Sequence, residues 1–179
     1  MSNFLAMPVF LFTIYAFLGW LLENSYNLIT KHRFIKPNFI KGPFKPMYGL
    51  APIFLVYFIA PDTHWAVVIC LCLIIPTIIE YISGAMLQQL TNRKWWNYSN
   101  IPFQLHGHIC LSYSLCWLGL SLLCINVLHP AIVSIFHTIE PIWNPIWPII
   151  YIYFMLELMI AMRRHSYQTH TEIKTSRQV

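Results

Sequence analysis

The sequence predicts an all-α protein, a polytopic bundle of transmembrane helices, and three observations carry that prediction. Of its 179 residues 58% are hydrophobic and only 9% are charged, whereas a soluble domain of this size carries roughly a quarter charged residues. The charges lie between apolar stretches that are too continuous for one globular core. The 11 Lys and Arg residues also gather in a few connecting segments, which is a pattern of membrane orientation more than of nucleic-acid binding. A soluble enzyme and a DNA-binding module are thereby excluded, and no nucleic-acid partner is expected.

The apolar stretches run over residues 4–28, 47–60, 65–90, 105–128 and 143–162. A bilayer core requires roughly 20 helical residues. The second stretch rises only about 21 Å as a helix, so it extends back through its Pro43 to Pro46 entry, thins the bilayer, or stops short of crossing. Charge decides between these. With five crossings, one side receives all the cations: Lys31, Arg33, Lys36, Lys41 and Lys45, then Arg93 and Lys94, then Arg163, Arg164, Lys174 and Arg177. The positive-inside tendency favours that arrangement.

The expected topology is therefore five spans with the N-terminus outside and the C-terminus cytoplasmic. Residues 1–162 form the bundle and 163–179 a polar, basic cytoplasmic tail. No Lys or Arg precedes Lys31, so the first segment is expected to remain as a span rather than to be cleaved as a signal. Residues 61–64 are expected to make a tight outer turn. Residues 129–142 form a longer outer connection, with Ile132, Ile135, Phe136 and Ile139 along the interface. The five cysteines fall in or at the ends of apolar segments, where thiols behave as small hydrophobes.

Three glutamates, Glu23, Glu80 and Glu157, sit within spans. Carboxylates in hydrocarbon normally face a bundle interior, a water-filled cavity or a partner. Steps of three and four residues place Ala16, Gly19, Glu23, Asn27 and Thr30 on one stripe, and Thr77, Glu80, Gly84 and Gln88 on another. Gly107, Cys110, Ser114, Trp117, Ser121 and Cys124 form a third, and Tyr153, Glu157 and Ala161 a fourth. One reading makes these packing stripes whose carboxylates are wetted or paired with Arg93, Lys94 or Arg163. The sharper reading has Glu23 and Glu80, with His106 and His108 at the start of the fourth helix, lining a cytoplasm-facing polar cavity suited to proton binding or cation coordination.

No metal or cofactor is expected. On a helix His106 and His108 point some 200° apart, so they cannot share a metal with Cys110, and no second cluster has ligand spacing. Gly-x-Ser-x-Gly, His-Glu-x-x-His and the phosphate loop GxxxxGK[ST] do not occur. ATP-driven work would need a partner. An enzyme would draw its general acid and base from Glu23, Glu80 and the two histidines.

Three blocks carry a resemblance. They are Phe17-Leu18-Gly19-Trp20-Leu21-Leu22-Glu23, then Phe39 through Gly42-Pro43-Phe44-Lys45-Pro46-Met47-Tyr48-Gly49, then Glu80-Tyr81-Ile82 continuing through Trp95-Trp96-Asn97-Tyr98-Ser99 to Gly107-His108-Ile109-Cys110. In this order they resemble the bacterial CmpB-like family of ABC-transporter permeases, over roughly the first two thirds of the chain. The chain departs from the family's pattern at Lys36-Pro37-Asn38, at Asn97, at His108 and near Gln88.

The resemblance implies a multi-pass subunit of the bacterial cytoplasmic membrane working with a separate ATPase subunit, on an unassigned substrate. A homodimer is expected, because five helices make a thin pore wall. Gly42, Pro43, Pro46, Tyr48 and Gly49 in one loop, with Trp95, Trp96 and Tyr98 in another, are the expected partner surface. Membrane lipids are a further expected partner, through Lys41, Lys45, Arg93 and Lys94. Two alternatives stand beside the transporter: a membrane-embedded enzyme acting on a lipid or lipid-linked headgroup, and a non-catalytic scaffold.

Overall fold

The computed structural model describes residues 3–36 and 38–176. Pro37, one of the departures noted above, and residues 177–179 of the expected tail lie outside the described residues. The chain is mostly helical. A single 3-10 turn, Asn3–Leu5, leads into α1 (Ala6–Lys31), followed by α2 (Pro46–Phe58) and α3 (Trp65–Thr91). A two-stranded hairpin, β1 (Gln104–Leu105) and β2 (Ile109–Cys110), precedes α4 (Leu111–Leu123). A π-helical segment, Cys124–Leu128, then runs without a break into α5 (His129–Ser176).

Among the described residues three helical runs are long and apolar enough to cross a membrane: Ala6–Lys31, Trp65–Thr91 and Leu111–His165. Their outward faces are apolar. Only 17% of the most apolar stretch of α3 is buried, and Ile74, Ile78, Ile82 and Met86 stand exposed along it. A soluble protein does not present so long an apolar stripe to water.

The ends of α1 and α3 follow from local chemistry. α1 stops at His32 and α3 at Asn92, each in the left-handed conformation that closes a helix. α2 begins with Pro46 at its first turn, where a missing N–H costs nothing, and the Lys45 N–H donates instead to the Ala16 carbonyl at 3.0 Å. The turn joining α2 to α3 is as tight as expected. Ala60 donates to Thr63 Oγ1 at 2.9 Å, and His64 Nδ1 accepts the Ala66 N–H at 3.3 Å to open α3.

Two elements take a different form from the one the sequence suggests. α2 has 13 residues, too few to count as a long span alone. The expected fourth and fifth spans belong to one helical run, and residues 129–142 between them contain no glycine. Ile132 and Phe136, expected along an interface, are buried in the main core with Ala6, Phe10, Leu11, Tyr15, Cys124 and Trp143. The run is nevertheless sharply bent. His129 bonds Tyr15 at 2.8 Å and Phe154 meets Phe12 with ring centres 5.1 Å apart. Along a straight helix His129 and Phe154 would be separated by about 37 Å. The bend falls where Pro141, Pro145 and Pro148 interrupt the backbone ladder. There Trp143 Nε1 donates to the Ala6 carbonyl at 2.8 Å.

α1 and α2 touch through small residues. A Cβ added to Gly19 would overlap Cβ and Cγ of Tyr48, atoms at the root of that side chain that cannot swing aside. Gly19→Ala is therefore expected to push α2 off α1 and cost about 1–3 kcal/mol. Denaturation of the detergent-purified variant checks this, and wild-type stability would refute the close approach.

Candidate functional site

Glu23 and Glu80 both face inward, and each is held by donors that come from loops or other helices. Glu23, on α1, receives Lys36 Nζ at 3.0 Å, Lys45 Nζ in a closer ion pair and the Tyr48 hydroxyl at 3.2 Å. Those three donors all belong to the α1–α2 connection and the first turn of α2. Asn24 fixes the same connection: its Oδ1 accepts the Lys36 N–H at 2.9 Å while its Nδ2 donates to the Trp20 carbonyl at 2.7 Å.

Glu80, buried on α3, accepts the Tyr98 hydroxyl at 3.0 Å and Trp117 Nε1 at 2.6 Å. Neither donor carries a charge. Burial, with Glu80 beside it, holds the Tyr98 phenol well above its ordinary pKa, so it stays protonated and donates. Tyr98 also stacks on Tyr113, centroids 4.7 Å apart.

The two carboxylates are linked through aromatic rings. Tyr48, bonded to Glu23, meets Trp117, bonded to Glu80, edge to face at 4.9 Å. A chain of contacts therefore runs Lys45, Glu23, Tyr48, Trp117, Glu80, Tyr98. Each carboxylate is tied to a different connecting segment: Glu23 to the one before α2, Glu80 to the one after α3.

The histidines sit elsewhere. They are not at the start of α4, which begins at Leu111, but in the hairpin turn, because His106 and Gly107 take positive φ (52° and 73°) and reverse the chain between paired Leu105 and Ile109. His106 Nδ1 pairs with the Tyr81 hydroxyl at 2.9 Å, and its carbonyl accepts Lys94 Nζ at 2.8 Å. His108 is buried and its ring packs against Gly84 and edge-on to Tyr81. Burial first, then Lys94 and His106, hold it below the usual histidine range, so it is neutral at pH 7. Its carbonyl accepts Trp96 Nε1 at 2.8 Å. No polar contact joins either histidine to Glu23 or Glu80 among the described residues.

Several expected surface groups turn inward. Gly49 is buried against Phe12, Tyr48 and Tyr98 hold the carboxylates, and the Gly42 N–H donates to Glu157 on α5. Trp95 packs on Phe39, and Pro43 and Pro46 are half-buried. Thr30, placed on the inward stripe of α1 by spacing, is exposed, whereas Asn24, off that stripe, is buried. The ion-pair partner of Glu23 is not Arg93, Lys94 or Arg163: Arg93 lies over the Trp95 ring at 5.1 Å. Lys45, expected to be free for lipid, is engaged with Glu23.

Long apolar helices with exposed hydrocarbon faces, and with Glu23, Glu80 and Glu157 held by inward partners, define a helical membrane protein. The family model described as "Putative ABC-transporter type IV" matches residues 10–162. The chain belongs to that family. No curated protein and no solved structure matches it.

Proposed function

We propose that this chain is the permease subunit of a transport system in the bacterial cytoplasmic membrane, driven by a separately encoded ATPase. One observation carries the reading beyond family membership: each connecting segment on the Lys45 side of the bundle delivers a donor to a different inward-facing carboxylate. Lys45 and Tyr48 reach Glu23, and Tyr98 reaches Glu80. A partner that displaces either segment changes the hydrogen bonding, and so the proton or cation affinity, of the carboxylate it holds. The segment from Gly42 to Gly49 and the one from Trp95 to Tyr98 are then the coupling surface, and Glu23 and Glu80 the groups they control. The His106 and His108 carbonyls brace the second segment by accepting from Lys94 and Trp96.

The reading includes five crossings, N-terminus outside. The sharp reversal of Leu111–His165 at its prolines supports counting that run as two crossings. The one-sided distribution of Lys and Arg supports the orientation. A homodimer, supplying the rest of a pore wall, belongs to the same proposal.

The test is affinity purification of the tagged protein from its native membrane in mild detergent, with mass spectrometry and ATPase assay on the same fractions. Recovery of a nucleotide-binding subunit, lost when residues 42–49 are replaced by a Gly/Ser linker of equal length in a variant that still purifies as a folded protein, is the expected result. Repeated recovery of the chain alone, without ATPase activity, overturns the permease reading.

A further inference from the structure

Where residues 153–164 of α5 meet the segment before α2, an open groove of about 360 Å³ is lined by Lys41, Tyr153, Leu156, Glu157, Ile160, Ala161 and Arg164. We propose that it binds one anionic glycerophospholipid, the headgroup phosphate between Lys41 and Arg164 and an acyl chain along Leu156 and Ile160. The charges are arranged for this. Among the described residues the ion pairs are those of Glu23 with Lys36 and Lys45, so neither Lys41 nor Arg164 is neutralised by a carboxylate. Glu157, the one acid in the groove, is turned to the backbone: its Oε1 takes the Gly42 N–H and its Oε2 is buried.

Arg164 is already aimed. One of its terminal nitrogens, Nη2, donates to the Phe39 carbonyl at 2.8 Å and meets His165 Nε2 at 3.0 Å, which fixes the guanidinium at the mouth and leaves the N–H groups of Nη1 and Nε for a phosphate oxygen. Phe39 and Ile40 are buried against Ala161, so the backbone that carries Lys41 is anchored on the same helix. Below the two cations, Leu156 and Ile160 stand 51% and 61% exposed, one turn apart on a helix apolar enough to cross a membrane. Cations at the mouth and an aliphatic wall beneath match a phospholipid at the headgroup boundary and do not match a free phosphate, which gains nothing from the wall.

The experiment is native mass spectrometry and thermal-shift titration of the detergent-purified protein with dioleoylphosphatidylglycerol, with dioleoylphosphatidylcholine and inorganic phosphate as separate arms. Phosphatidylglycerol is expected to be retained and to stabilise, and the other two are not. Lys41→Gln and Arg164→Gln are each expected to weaken retention about fivefold, with Lys31→Gln, an equal charge change at the exposed end of α1, leaving it unchanged. Lys41 is exposed, so its variant stays folded and decides the question even where Arg164→Gln loosens the Phe39 contact. Undiminished retention in Lys41→Gln, equal retention of phosphatidylcholine, or stabilisation by inorganic phosphate matching that by the lipid would each overturn the proposal.

Discussion

Glu23→Ala is expected to destabilise the bundle by about 3–5 kcal/mol, the cost of leaving one partner of a buried ion pair uncompensated. Lys45 is the reason. Its side chain is only 12% exposed, held between α1 and the start of α2 by a backbone bond to Ala16, and it cannot move to water without releasing that turn. Lys36 is 35% exposed and regains hydration, so its loss contributes little. The Tyr48 hydroxyl loses an acceptor as well, which adds about 1 kcal/mol.

A second substitution separates charge from packing. Glu23→Ala combined with Lys45→Met removes both buried charges and keeps the apolar stem that fills the site, so it should recover most of the loss. Reversible denaturation of the two variants and wild type in the same detergent checks this. A single variant within 0.5 kcal/mol of wild type would mean that Lys45 reaches solvent, and the ion pair would lose its structural role.

The sequence shows the helices that matter and the inward carboxylates, but not what holds them. α1 and α3 lie within a few residues of where apolar length places them, and the three-and-four spacing puts Glu23 and Glu80 inside, because both signals are local. The donors are another matter. Lys36, Lys45 and Tyr48 lie 13 to 25 residues from Glu23, and Trp117 lies 37 from Glu80. No period links such pairs. Lys45 reads equally well as an orientation charge, and only its place beside a helix-opening proline hints that it is fixed. Trp117 carried a usable signal, since an indole on the small-residue stripe with Ser114 and Ser121 must find an acceptor when buried.

The misplacements have physical causes too. A hydrophobic run of the right length over 105–128 hides the hairpin at its start, because Leu105 and Ile109 are apolar in strand and helix alike and only Gly107 marks the turn. The helical continuity of 129–142 was concealed in the opposite way. Pro130 and Pro141 within the segment, and Pro145 and Pro148 after it, are ordinary helix breakers, whereas in a membrane helix prolines bend the run and neighbouring helices restore the lost contacts.

Glu80 distinguishes a working carboxylate from a structural one. Trp117 is a donor only, while the Tyr98 hydroxyl donates or accepts. Glu80→Gln therefore keeps both contacts: its amide oxygen turns to Trp117 Nε1 and its amide nitrogen donates to the Tyr98 hydroxyl oxygen, with the Tyr98 O–H, on a half-buried residue, turned to solvent. The variant should fold with a stability change under about 1 kcal/mol. Glu80→Ala leaves both donors buried without an acceptor, at about 1–3 kcal/mol each. Denaturation of the two variants measures that contrast, and equal losses would show that water fills the site and bonds both donors. The functional arm uses the same pair. If Glu80 takes up a proton or cation during transport, Glu80→Gln abolishes the partner-dependent activity while abundance and stability stay at wild-type level. Full activity in Glu80→Gln makes the carboxylate a packing element, and the coupling role then rests on Glu23 and the segment that holds it.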